Sequence, residues 1–392
     1  MRRRELIQAL SVAGAVPLAA LHAPARAAGV VRQLYPGMSL PALLAASGEG
    51  DVIEVMPGTH MAQVGVVTQR VLTIRGVGTT RPVLNANGVS AEGKAILVVR
   101  GATDVRIENL EFRGARVADL NGAGIRFESG VLKVSNCAFF DNEMGILTSH
   151  EPNSVLKVRN SEFGFAANSP AVSSPYPPHL LYAGRIKQLF ISGCRFHDGL
   201  AGHLLKSRAQ ETIVCYSLLV DGSAGKASYE VDLPEGGMAW LIGNVISQSA
   251  LTQNSNIVMY GEETSSLSRH GLYMANNTIV NNRSAGTFVR VSPTRLSAGL
   301  DARFVNNLLV GTGDVQTGTL AWPASNKMTT LSSLQAPSSL NFRLVAGSPL
   351  RGTGSAPGTG GGRSLAPTAE FLLPLGTRAI TAPAAWSPGA FQ

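Results

Sequence analysis

VSNCAF, residues 134–139, reads as one turn of a repeat that returns as IENLEF (107–112), VRNSEF (158–163), ISGCRF (191–196), VCYSLL (214–219), LIGNVI (241–246), MANNTI (274–279) and FVNNLL (304–309). The third positions are Asn109, Asn136, Asn160, Gly193, Tyr216, Gly243, Asn276 and Asn306, spaced by 27, 24, 33, 23, 27, 33 and 30 residues. The sixth positions are apolar throughout: Phe112, Phe139, Phe163, Phe196, Leu219, Ile246, Ile279 and Leu309. Short strands at such a period build a solenoid or a propeller. Propeller blades need about 40–45 residues for four strands, so these units are too short. They fit single turns of a parallel β-helix, with an apolar column stacked along its axis. Asn and Gly at the third position tolerate left-handed backbone, which marks a bend where stacked Asn side chains can bond from coil to coil.

Before most of these segments lies another apolar strand: GIRFES (124–129), GILTSH (145–150), HLLYAG (179–184), HLLKSR (203–208), SYEVDL (228–233), NIVMYG (256–261) and TFVRVS (287–292). These should stack as a second parallel sheet. Two long insertions, 166–178 and 262–270, should overhang it. Toward the N-terminus, 35–46 reads as a short amphipathic segment, and further β-type runs follow from residue 51. The expected organisation is an export signal at 1–27, a cap region at 28–48, an all-β right-handed parallel β-helix of about 10 coils at 49–350, and a Gly/Pro-rich tail at 351–392 running back over the helix.

The chain has 392 residues, 43 of them Gly and 15% charged, ample for one large core. Arg2 to Arg4, the apolar run Leu10 to Leu21 and Ala25-Arg26-Ala27 have the layout of an export signal. Arg3-Arg4-x-Leu-Ile resembles a twin-arginine signal, which implies a periplasmic or secreted protein. An apolar run this short falls below a membrane-spanning helix. No membrane association is expected once the signal is removed. Cleavage takes away four Arg and one Glu, so the formal charge of +8 becomes about +5. Mild basicity suits an acidic polysaccharide partner. Nucleic-acid binding lacks its basic clusters and interleaved aromatics. Cys137, Cys194 and Cys215 are odd in number and read as buried fillers. Zinc spacing, phosphate loops and G-x-S-x-G are absent, as is the Asp-Asp pair of pectin-type hydrolases. The protein is expected to act as a monomer without a cofactor.

The chemistry-bearing residues gather between His203 and Gly237. Alternation along the strands puts Lys206 outward with Leu204 and Arg208, and Ser207 inward. Stacking by strand starts gives an outward row of Tyr182, Lys206, Glu230, Tyr260 and Arg290 at about 4.8 Å steps. Arg208 and Asp232 lie two residues along. His179 and His203 open adjacent strands, Tyr229 precedes Glu230, and Arg126 extends the face. Such a ladder of charges is also what plain solvation produces on a sheet.

The first coil, GDVIEVMPGT leading into LTIRG, resembles the pectate-lyase-like superfamily of right-handed β-helices. The N-x-x-F bends, FRLVAGSP and the terminal GAFQ carry the likeness over residues 45–392. That superfamily holds lyases, hydrolases, epimerases, esterases and non-catalytic spikes. Within it, HLLKSRAQETIVCYSLL resembles chondroitinase B and its alginate-lyase relatives, which carry a Lys-Ser pair with the Lys as base. Lys206-Ser207 matches the pair. The assisting Arg of the next coil is missing near Tyr229 and Glu230, and Gly199 and Ala201 stand where the family has acidic calcium ligands. Calcium is therefore possible but lacks its ligands.

The resemblance implies β-elimination of a uronate polysaccharide. A carboxylate must be neutralised, a C5 proton removed and the leaving O4 protonated. The expected roles are Arg208 with Arg290 on the carboxylate, Lys206 as base, Tyr182 as acid and Glu230 holding Lys206. His203 joins this catalytic group. His179, Tyr229, Asp232, Tyr260, Arg290 and Arg126 are expected to bind substrate. C5 epimerisation shares the proton abstraction, though its Asp-Pro-His-Asp motif is absent. Glycoside hydrolysis and a non-catalytic carbohydrate-binding solenoid are the other readings.

Overall fold

All eight third-position residues of the repeat have left-handed backbone, with φ from +48° at Asn160 to +66° at Gly243. A computed structural model describes residues 29–174 and 177–392. The expected export signal lies outside these residues. At each bend the chain leaves a strand of one sheet and enters a short strand of the next. Glu211–Cys215, Leu218–Val220 and Val231–Leu233 are one such coil. Repetition gives three parallel sheets of eleven, eleven and ten strands. The first runs from Val31–Leu34 to Leu300–Val305, the second from Thr59–Met61 to Lys327–Thr329, and the third from Gly65–Val67 to Asp314–Gln316. The architecture is the expected all-β right-handed parallel β-helix, with three strands per coil.

The sixth-position column is the spine of the core. Phe112, Phe139, Phe163 and Phe196 stack face to face at centroid distances of 5.0, 4.7 and 4.6 Å. Parallel stacking is imposed by the coil repeat, which brings identical side chains into line.

Hydrogen bonding at the bend is carried mainly one residue later than the sequence suggests. Asn136 does donate to Asn109 Oδ1 at 2.9 Å. The continuous ladder, however, uses the fourth position. The backbone N–H groups of Cys137, Ser161, Cys194 and Ser217 donate to Ser161 Oγ, Cys194 Sγ, Ser217 Oγ and Asn244 Oδ1 of the next coil. Those of Asn244, Asn277 and Asn307 donate to Asn277, Asn307 and Asn326 Oδ1 at 3.1, 3.2 and 2.9 Å. Left-handed backbone turns this N–H inward, where only a side chain can satisfy it. Cys137 and Cys194 are thus weak acceptors in that ladder, two coils apart, and burial pushes both thiols up to about 12.

Both ends of the described residues pack on this frame. Helix Leu40–Ala46 is capped by Ser39, whose side chain accepts from Ala42 N, and buries Leu40 and Leu44. The tail crosses the outside. Gly360 O accepts from Trp240 Nε1 at 3.0 Å, Thr368 N donates to Tyr216 Oη at 2.9 Å, and Ser387 O accepts from Asn276 Nδ2 at 2.9 Å. The contact with Thr368 gives Tyr216 a role at a bend that favours Asn or Gly.

Asn277 accepts from Asn244 and donates to Leu241 O and Asn307 Oδ1. Asn277→Ala leaves the buried Asn244 N–H without its acceptor and removes a donor from Leu241 O and Asn307 Oδ1. It should lower stability by about 2–3 kcal/mol, read as a drop in the urea midpoint. Removal of the exposed Asn153 side chain should leave that midpoint unchanged.

Candidate active site

Tyr182, Lys206 and Asp232 are successive register partners in the third sheet, on strands Leu181–Ala183, Leu205–Ser207 and Val231–Leu233. Above them come Met259 and then Arg290; below Tyr182 lie Leu147 and Arg126. The expected row is therefore corrected at two places. The register step is 24 residues from Tyr182 to Lys206 but 26 from Lys206 to Asp232. The turn after Ser207 is one residue shorter than the one after Ala183, and the loop after Val220 is three residues longer than its counterpart after Phe196. Asp221 pins this loop by accepting the N–H groups of Gly199 and Ala227 at 2.7 and 3.0 Å.

Glu230 consequently does not hold Lys206. It precedes its strand, at the corner between sheets, level in register with Leu204 and Ile257, both fully buried. Leu204 turns inward for the same reason. Glu230 is 0% exposed and neither carboxyl oxygen finds a partner. Burial, and then Asp221, pushes its carboxyl well above the usual range. Tyr260 also faces inward, donating to Gly237 O at 2.5 Å. Neither residue can touch a substrate on the sheet face.

The side chains that do converge form a charge network. Lys206 Nζ lies 3.2 Å from Asp232 Oδ2 and 5.7 Å from the centroid of the Tyr182 ring. Its side chain is 13% exposed, as is that of Arg208, so both cations are sheltered rather than solvated. Arg208 Nε donates to Tyr182 Oη at 2.9 Å. Arg208 also meets Glu235 at 2.5 Å and Glu263 in a two-point contact at 2.6 and 2.9 Å. Arg185 makes its own fork to Glu235 at 2.8 Å. Burial works against each of these charges. For Arg208 the contacts with Glu263, Tyr182 and Glu235 outweigh it, and for Glu235 the two arginines do. Burial wins at Asp232, whose carboxyl is pushed up to about 6 despite Lys206.

The two histidines serve the backbone first. His179 Nδ1 accepts from His203 N at 2.9 Å, and His203 Nδ1 accepts from Tyr229 N at 3.2 Å. Acceptance at Nδ1 places the proton on Nε2. His203 Nε2 then faces Asp232 Oδ2 at 3.3 Å, so Asp232 is shared by His203 and Lys206. Burial keeps both rings neutral, driving His179 down to about 3 and His203 well below the usual imidazole range. Tyr229 packs against His203 at 4.9 Å, which sets it beside the cluster. Arg290 is three coils above Lys206 and Arg126 two coils below Tyr182, so neither belongs to the central network.

Glu235, Glu263 and Arg185 escaped the sequence reading. They stand in turns, LPEGG, GEET and AGRI, where period-2 alternation assigns no face. Glu263 does lie in the expected overhang at 262–270. In the other insertion, Ser169 Oγ donates to Glu143 at 3.1 Å.

Acids suited to calcium are already engaged near Gly199 and Ala201. Asp198 bonds His197 Nδ1 at 2.6 Å, Asp221 is held by two backbone N–H groups, and Glu230 faces the core. These residues do not fit a calcium shell. Among the described residues no three His, Cys, Asp or Glu side chains are grouped to hold a metal, and no helix is long and apolar enough to cross a membrane. Cavities of 490, 490 and 500 Å³ lie elsewhere: beside Tyr273 and Arg303, at the N-terminal helix, and around Arg283. The charge network lies on the third-sheet face, outside these three cavities.

No family model matches the chain, and no curated protein matches it in sequence. Among solved structures, pectate lyase Pel9A aligns with a TM-score of 0.58 at 15% identity, over 92% of this chain and 96% of its own. An alginate lyase from Paenibacillus sp. str. FPU-7 aligns with a TM-score of 0.47 at 15% identity, over 76% of this chain and 98% of its own. The likeness to Pel9A is one of fold. The chain is a right-handed parallel β-helix.

Glu230 gives a stability test of the corrected register. Its folded pKa is raised, so stability is complete below the ordinary carboxylate pKa and declines as pH rises toward the folded value. Glu230→Leu restores the apolar column of Leu204 and Ile257. It should remove that decline and stabilise the protein by about 1–3 kcal/mol at pH 8, seen by comparing urea unfolding at pH 5 and pH 8.

Proposed function

We propose that this protein is an exported lyase that cleaves a uronate-containing polysaccharide by β-elimination on the third-sheet face. The observation that carries this reading is the convergence of Tyr182, Lys206 and Arg208, one phenol and two sheltered cations, on the third-sheet face. Those are the group types that β-elimination requires without a metal. A guanidinium neutralises the uronate carboxylate, so the C5 proton becomes acidic. One side chain takes that proton and another protonates O4.

The contacts favour exchanging the roles expected for Lys206 and Tyr182. Asp232 stabilises Lys206 as an ammonium, which suits a proton donor. Arg208 Nε–H points at Tyr182 Oη, so that donor would hold the phenolate that a base requires. In the proposed step Tyr182 reacts as a phenolate, its own proton released to solvent beforehand; Oη takes the C5 proton and the C5–H electrons form the C4–C5 double bond. The C4–O4 bond breaks, and Lys206 delivers its proton to O4. Arg208, with Arg185 nearby, receives the carboxylate. His203 and Asp232 position Lys206.

A binding module is less well supported, because the stacked Phe rings face the core and Tyr182 is the aromatic residue of the outward row from Val98 to Arg290. Paired-carboxylate hydrolysis loses Glu230 to the interior. C5 epimerisation uses the same proton abstraction and is separated by its product.

The test is ultraviolet absorbance of the unsaturated uronate while the mature protein is offered acidic polysaccharides, with and without EDTA. One polymer should give the band, undiminished by EDTA. Lys206→Ala and Tyr182→Phe should each lower kcat on the order of 10²–10⁴-fold while melting like the parent. Wild-type turnover in either variant removes the mechanism. C5 deuterium exchange without the band would establish epimerisation instead.

A further inference from the structure

Arg208 cannot receive a substrate carboxylate as it stands, because both terminal nitrogens are already bonded to acids. Those acids differ in kind. The Glu235 side chain is 1% exposed and shared with Arg185, a fixed part of the network. That of Glu263 is 47% exposed and approaches from the solvent side, on the loop that follows strand Asn256–Tyr260. The charges count the same way. Arg185, Lys206 and Arg208 face Asp232, Glu235 and Glu263, so the network is neutral; without Glu263 it carries one positive charge. Room for one anion is built into the network, and the chain fills it with its own carboxylate.

We propose that Glu263 occupies the position that a substrate carboxylate takes on Arg208, and that substrate binds by displacing it. The forked contact to the Arg208 terminal nitrogens is the geometry that a uronate carboxylate would reproduce. The loop backbone is fastened to the coils below and above it: Glu263 N donates to Pro234 O at 2.8 Å and Ser265 N to Arg295 O at 3.3 Å. Rotation of the exposed Glu263 side chain therefore suffices to free the site. Competition of this kind selects for charge. An anionic ring can exchange with Glu263, whereas an esterified ring leaves Arg208 with its internal partner. Glu263 is thus a specificity-determining residue that discriminates against neutral or esterified sugars.

The choice of a uronate as ligand rests on the reading of the site given above. The experiment measures equilibrium binding of sodium glucuronate and of its methyl ester to the mature protein by calorimetry. Glu263→Gln should bind glucuronate about tenfold more tightly than wild type, with ester binding unchanged. Glu263→Asp, which keeps the charge, should stay within about twofold of wild type. In turnover, KM of Glu263→Gln for the polymer should fall. Equal or weaker glucuronate binding by Glu263→Gln overturns the inference, as does an equal gain for the ester. The two readings fail separately. Tighter glucuronate binding with no polymer cleaved would sink the lyase assignment alone. Cleavage with unchanged glucuronate binding would sink the role of Glu263 alone.

Discussion

One buried N–H per coil governs this molecule. The left-handed bend between the first and second sheets turns the N–H of the following residue toward the interior, away from water and from the sheet ladders. Leaving it unpaired would cost about 1–3 kcal/mol on each coil. The chain answers with a side chain one coil along: Ser161, Cys194, Ser217, Asn244, Asn277, Asn307 and Asn326 in succession. Because each acceptor belongs to the neighbouring coil, the bond also sets coil register. The Phe stack then follows from a register already determined.

That register reaches the opposite side of the coil only through the loops, and there the site is decided. The loop between Val220 and Val231 is tied down by the Asp221 carboxylate, and its length brings Asp232 rather than Glu230 over Lys206. The net gain of two residues over that coil sends one acid into the core and sets another beside a lysine and a histidine. A carboxyl raised to about 6 at Asp232 and one raised well above the usual range at Glu230 are consequences of position, not of residue type.

The site is balanced in charge, and balance accounts for its burial. Arg208 is well sheltered because Glu235 and Glu263 compensate it, and Glu235 is almost wholly buried because two arginines do so. A network in which every cation has an acid is stable as it stands and exchangeable at its one exposed member. Stability and substrate access are therefore linked through Glu263.

The sequence by itself determined the β-helix, because period, apolar column and bend residues are local patterns that every coil must repeat. It also determined that Tyr182 and Lys206 are neighbours, since their strands share the HLL context and an equal alternation. The fourth-position ladder was written in Asn276-Asn277 and Asn306-Asn307, yet which Asn of each pair turns inward depends on the backbone at the bend. Only the tertiary structure decided the rest of the site. Glu230 and Tyr260 face inward because strand starts do not reveal corners, and Arg185, Glu235 and Glu263 meet Arg208 from three separate turns. Loop length sets register across coils, and a side chain in a turn has no periodicity from which its direction can be read.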